Sequence, residues 1–252
     1  MRNSPDSGGF GEPVTTLDSM TFCRLAQSLG RQGVRIADAT LGMLFHRAAE
    51  LLVPLYDRVK VLVALPDVVL ADETRIDVQD KKKVRDTWMW VFLAQKVMVY
   101  VFSPSRSGKT PVAVLGATKG TPLVDGYTGY NKATTPDQRE RAGCIAHTSR
   151  RFFDAREKTP EVQEALDLIL DVCMVEHIAR ENDIERSPTH REPRQTFSMN
   201  ALERLKMWLD AHEESWLPSS PAGSAVRYMG KSCESMTVFL ERVDVPVDKR
   251  EA

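Results

Sequence analysis

Two short apolar runs, each ending on a carboxylate, constrain this chain most. Residues 68–71 (Val-Val-Leu-Ala) lead into Asp72-Glu73-Thr74. Leu123-Val124 leads into Asp125-Gly126-Tyr127-Thr128-Gly129-Tyr130-Asn131. Short runs of this composition, bounded by turn residues, read as strands. Two strands that each end on a carboxylate suit a divalent metal, because hard cations take oxygen ligands held on rigid elements. On these residues alone the alternative stays open, namely two acidic strand ends that face water or close a turn.

The surrounding pattern places these runs in an α/β fold. Residues 1–18, with Pro5, Gly8, Gly9, Gly11 and Pro13, read as a disordered leader. Residues 19–65 read as helical. Phe22, Leu25, Ala26 and Leu29 recur at helical spacing, Gly30 and Gly33 interrupt, and Leu41, Leu44, Phe45, Ala48, Leu51, Leu52 and Leu55 form a second stripe. Such a pair fits a DNA-reading helix-turn-helix or a helical hairpin packed on a neighbour. Pro66 and Asp67 stop the helix. Strands are predicted over 68–71, 87–93 and 97–102, the last two as a hairpin, then a loop over 103–110, a short helix over 111–117 and a strand over 122–125. Residues 142–146 are a candidate fifth strand. This order predicts a mixed sheet in a core spanning 66–158. From residue 148 onward the pattern is helical. Thr159-Pro160 is a start signal, residues 185–195 with Pro188 and Pro193 read as a polar loop, and Ser220-Pro221 opens a last helix.

Composition excludes several classes. The net charge is −1, so any DNA contact must come from local clusters rather than bulk charge. Residues 139–158 form one such cluster, with six basic residues against three acidic ones. Arg150 and Arg151 would lie beside the second carboxylate strand, where phosphate contact is one reading and a solvated helical face the other. Four cysteines, Cys23, Cys144, Cys173 and Cys233, lie far apart and form no disulfide framework, which fits a reducing cytoplasm. No apolar run approaches the roughly 20 residues that span a bilayer, and no signal peptide is evident.

Two motifs compete for attention. Ser103-Pro104-Ser105-Arg106-Ser107-Gly108-Lys109-Thr110 ends like a phosphate-binding loop, but it lacks the opening glycine, and Pro104 offers no amide hydrogen. Nucleotide hydrolysis is therefore set aside. Cys144-Ile145-Ala146-His147 has half of a metal-ligand spacing without a second pair, so a buried thiol beside a hydrogen-bonded imidazole is the simpler reading.

Taken together, Leu70-Ala71-Asp72-Glu73-Thr74, then Tyr100 to Gly108, then Val124 to Asn131, then Gly143-Cys144-Ile145-Ala146-His147-Thr148-Ser149-Arg150-Arg151-Phe152 resemble, in order, the transposases of the insertion-sequence-66 family. The resemblance runs from about Gly33 to Asp248. It implies a ribonuclease-H-like mixed sheet core with flanking helices, and a helical insertion over residues 159–252 ahead of the last catalytic helix. It also implies an Asp-Asp-Glu triad that binds Mg2+ (or Mn2+), with Asp72 and Asp125 as the first two acids. The implied activity is DNA nicking at transposon ends followed by strand transfer into target DNA, in a homo-oligomer or with companion transposition proteins. Cys144 and His147 match the family as a structural motif. The family pattern continues after a Val-Pro-Ile-Asp-like stretch into Asn-Asn and the catalytic Glu. Here Val245-Pro246-Val247-Asp248 is followed by Lys249-Arg250-Glu251-Ala252, and Glu251 is out of register. The expectation is a truncated, impaired copy. The alternative is a non-catalytic DNA-binding or transposase-partner module.

Overall fold

The computed structural model describes residues 21–80, 83–135 and 139–249. The leader at 1–18 and Glu251 lie outside them. Helices α1 (Phe22–Arg31) and α2 (Asp38–Val63) come first. Strands β1 (Val68–Asp80), β2 (Lys83–Ala94) and β3 (Val97–Ser103) follow, then α3 (Lys109–Leu115), β4 (Thr121–Val124) and β5 (Ala142–Gly143). The remainder is helical: α4 (Ile145–Arg156), α5 (Gln163–Glu181), α6 (Arg191–Pro193), α7 (Met199–His212) and α8 (Pro221–Glu241).

The strands form one sheet in the order β3-β2-β1-β4-β5. β1, β2 and β3 run as antiparallel neighbours, whereas β4 is parallel to β1 and β5 parallel to β4. Alternation along the strands feeds two cores. Leu70 and Leu123 point to one face, where they meet α4, α5, α7 and α8 through residues such as Phe152, Leu205 and Met229. Val69, Ala71, Trp90 and Val124 point to the other, where the end of α2, α3 and Tyr130 cover them. The mixed α/β sheet with flanking helices expected from the sequence is therefore present.

Several boundaries differ from the sequence reading. β1 and β2 continue well past residues 71 and 87, pairing from Leu70↔Leu93 out to Asp80↔Lys83. This outer ribbon is largely exposed: Ile76 and Val78 alternate with Arg75, Asp77 and Gln79, but neither enters one of the two cores. It is held instead by backbone pairing and by ion pairs such as Arg75 to Asp86 at 2.7 Å. The fifth strand shrinks to two residues, because β4 ends at Val124 and leaves no further partner. The Cys144 amide bonds Val124, the Ile145 amide turns to the Val247 carbonyl, and α4 starts at residue 145 rather than 148. α3 begins two residues earlier than expected, at Lys109.

The stretch expected as a polar loop, 185–195, is mostly helical. Pro188 opens a short 3-10 turn, where no amide hydrogen is needed, and a π-helical turn over residues 194–198 leads into α7. A buried ion pair sets its path. Arg194 donates to both carboxylate oxygens of Glu176 on α5 at 2.9 and 2.6 Å, and both side chains are fully enclosed. Its remaining nitrogen donates to the Phe239 and Val245 carbonyls at 3.0 and 3.1 Å. Arg194 thus caps α8 and bends the chain toward the sheet, where Val245 and Val247 are buried.

Candidate active site

The strand register brings the two acids together. β1 and β4 pair as Val68↔Thr121, Val69↔Pro122 and Leu70↔Leu123, and Asp72 and Asp125 each lie two residues further along. Side chains alternate along a strand, so both acids share the face of Leu70 and Leu123. Both act electrostatically on His147, from the first turn of α4. The His147 Nε2 lies 3.9 Å from Asp72 Oδ2. Each acid is also held by its own backbone: the Glu73 amide donates to Asp72 at 3.1 Å and the Tyr127 amide to Asp125 at 3.0 Å. The second of these closes the turn after β4.

A cation already stands beside Asp72. The bend after α8 delivers Lys249, whose ammonium lies 3.2 Å from Asp72 Oδ1. Burial, and after it this ammonium, pushes the His147 imidazole below its ordinary range, so it is neutral at pH 7. Burial likewise pushes the Cys144 thiol up, leaving a neutral side chain packed at the start of α4.

Glu73 faces the opposite side of the sheet from Asp72, and its side chain is buried. Arg106 donates to it at 2.9 and 2.6 Å, and the Tyr130 hydroxyl donates at 2.7 Å. Burial still drives the Glu73 carboxyl above the ordinary carboxylate range, against these donors. The Arg106 guanidinium also stacks over Tyr127 at 4.0 Å, and the Tyr127 hydroxyl donates to the Arg106 carbonyl. A Cβ on Gly108 would meet the Gly129 carbonyl oxygen at 2.3 Å, so the 103–108 loop and the turn after Asp125 interlock. The stretch that imitates a phosphate-binding loop therefore serves as a brace for both acid-bearing strands.

On the other flank, Tyr228 of α8 accepts a hydrogen bond from the Gly126 amide at 2.7 Å, and a Cβ on Gly126 would strike its ring at 2.6 Å. Arg151 stacks over the same ring at 4.0 Å. Arg151 is thus tied to the Asp125 turn through Tyr228, while Arg150 is exposed on α4. A cleft of about 680 Å³, lined by Gly126, Arg141, Tyr228 and Lys231 among others, opens beside this turn.

Of the residues singled out in the sequence, Asp72, Asp125 and His147 converge, Cys144 supports them from below, and Arg151 reaches the rim. Glu73, Arg106, Tyr228 and Lys249 were missed. Arg106 sits within a recognised motif and so left a signal, whereas nothing local marks Tyr228, 102 residues from its partner. Among the described residues, no three His, Cys, Asp or Glu side chains form a group that could hold a metal ion. Two adjacent carboxylates alone still fit magnesium, which takes one or two protein carboxylates and completes its shell with water and phosphate oxygens.

The fold and this pair define an α/β protein with an acidic site where the parallel pairing of two neighbouring strands, β1 and β4, stops. The chain belongs to the IS66 family of transposases, whose pattern matches residues 17–252. It is 28% identical over 244 residues to an uncharacterised protein, y4jD, of Sinorhizobium fredii, a match covering 89% of this chain and 47% of that protein. The chain thus spans about half the length of that relative. A shorter likeness, 26% over 124 residues, covers 48% of this chain and 12% of a regulator of telomere elongation helicase 1 homolog of Drosophila persimilis.

Proposed function

We propose that this chain carries the DNA-cutting and strand-transfer site of an IS66 transposase, with Asp72 and Asp125 as metal-binding carboxylates in a ribonuclease-H-like core. The observation that carries this reading is that Asp72 on β1 and Asp125 in the turn just after β4 each lie two residues past the paired Leu70 and Leu123, and both act on His147. The sheet order, three antiparallel strands followed by two parallel ones, supports the fold assignment. Mg2+ or Mn2+ bound at these carboxylates supplies charge neutralisation for the attacking and leaving oxygens of an in-line displacement at phosphorus. The chain's own residues do the rest. Asp72 and Asp125 would hold the cation, and the Glu73–Arg106 brace holds both strands. Arg150 and Arg151 take up neighbouring phosphates of the transposon end or target DNA. The neutral His147 adds no charge against an incoming cation.

The competing reading is a non-catalytic DNA-binding or transposase-partner module in the cytoplasm. Lys249 favours it, because its ammonium stands where a cation would approach Asp72. No helix among the described residues is long and apolar enough to cross a membrane. The two readings separate in one experiment, a Mn2+ titration of the purified chain followed by Mn2+-dependent nicking of transposon-end DNA. The catalytic reading expects Asp72→Asn and Asp125→Asn each to abolish both without unfolding the protein. DNA binding that persists in both variants, with no nicking by the parent chain, overturns it in favour of the module.

A further inference from the structure

The α1–α2 arm carries an apolar surface that the described residues leave open. Leu41, Phe45, Ala48, Leu52, Leu55, Val59 and Leu62 alternate by four and three residues along α2, so they lie on one stripe of the helix. The stripe is covered at both ends. Phe45 meets Phe22 of α1 with ring centroids 5.8 Å apart, and Val59 packs on the core under the sheet. Nearby, the Tyr56 hydroxyl donates to the Tyr100 carbonyl of β3 and ties the helix to the sheet edge.

Between these ends every residue from 46 to 58 is exposed, with Leu51 at 82%, Leu52 at 57% and Leu55 at 61%. The gap from Phe45 to Val59 is about 21 Å along the axis, twice the width of a helix. A free-standing helix of this kind is poorly supported, since isolated turns are marginal in water. Pro54 also removes one of its internal hydrogen bonds. A helix that is apolar over most of its surface is normally buried.

We infer that this stripe is the docking face for a second copy of the chain, the two α2 helices packing against each other across a two-fold axis. Four considerations select that occupant. The alternating spacing is the pattern by which a helix packs on another of its own kind, with the small Ala48 allowing close approach. Pairing the stripe with itself removes on the order of 1,000 Å² from water, the size at which specific protein contacts begin. Residues 1–20 carry only Phe10, Val14, Leu17 and the methionines at positions 1 and 20 as large apolar groups, too few to cover four turns. A net charge of −1 leaves little repulsion between copies, and a self-matched face closes at two subunits.

The test uses the full chain, without DNA or metal, so its outcome is separate from that of the transposase reading. Analytical ultracentrifugation is expected to show a dimer at micromolar concentration, with a melting temperature that rises with protein concentration. Leu52→Glu should weaken the dimer at least about tenfold while helix content by circular dichroism is kept. Val61→Glu, on the opposite side of α2, should leave the dimer intact. Should Leu52→Glu fail to fold, the concentration dependence of the parent's melting carries the reading by itself. A parent chain that stays monomeric with a concentration-independent melt, or a Leu52→Glu dimer as tight as the parent's, overturns the inference. Loss of α2 helix content in such a monomer on removal of residues 1–20 would assign the face to that segment instead.

Discussion

Glu73 and Arg106 stand 33 residues apart in sequence and 2.6 Å apart in space, on the face of the sheet opposite Asp72. This contact ties β1 to the loop after β3, and through Tyr127 and Tyr130 to the turn that carries Asp125. The geometry of the acid pair therefore depends on residues that face away from it.

Arg106→Ala is expected to leave Glu73 with Tyr130 as its one side-chain donor among the described residues. The Arg106 side chain is 40% exposed, so solvent screening limits the cost to about 1–2 kcal/mol. The same change should weaken Mn2+ binding at Asp72 and Asp125, with Arg106→Lys intermediate because lysine cannot donate as a planar fork. Urea unfolding and a Mn2+ titration on the three proteins would check both. Unchanged Mn2+ affinity in Arg106→Ala would remove the brace from the account of the site.

Arg194→Ala should be far more costly. It leaves a fully buried Glu176 carboxylate with only the neutral His190 ring beside it among the described residues and uncaps α8, for a loss of about 3–5 kcal/mol. Replacing both partners by methionine should recover much of that loss, because no lone charge is then buried. The comparison needs only thermal melts of the two variants. A double variant as unstable as Arg194→Ala would show that the capped carbonyls, not the stranded charge, dominate.

His190 supplies a pH dependence. Its ring is buried against Glu176, and burial holds it below the ordinary histidine range. The unfolded chain therefore binds more protons than the folded one as pH falls through that range. Stability from this group is complete above the ordinary histidine pKa of about 6.5 and is lost as pH falls below it toward the lowered value in the folded state. Melting temperature measured across that window should drop with acid, and His190→Gln should flatten the slope. An equal slope in both proteins would assign the effect elsewhere.

Lys249→Ala should strengthen Mn2+ binding by about tenfold, since an ammonium 3.2 Å from Asp72 opposes a second cation there. Isothermal titration would read it directly. Weaker binding in the variant would mean that Lys249 orients Asp72 for the metal instead of competing with it.

The sequence by itself carried the two strands that present Asp72 and Asp125, though not the run of β1 eight residues past Asp72, and it carried the hairpin of β2 and β3 and the helical second half. These are written in local signals: apolar runs, turn residues and helical spacing. Even the family could be recognised from motifs in fixed order. The outer ribbon of β1 and β2 left only a short trace, Ile76 and Val78 alternating with Arg75, Asp77 and Gln79, which is weak beside the apolar runs that fill the core. The helical run through residues 188–198 was hidden for a related reason. Its two prolines and its charges read as a loop until Glu176, 18 residues upstream, is found to neutralise Arg194. Only the tertiary structure decided that the 103–108 motif braces the site, that Tyr228 roofs Gly126 and that Lys249 faces Asp72. Each is a contact between distant segments, and such contacts are fixed by packing and charge pairing that no window of sequence contains.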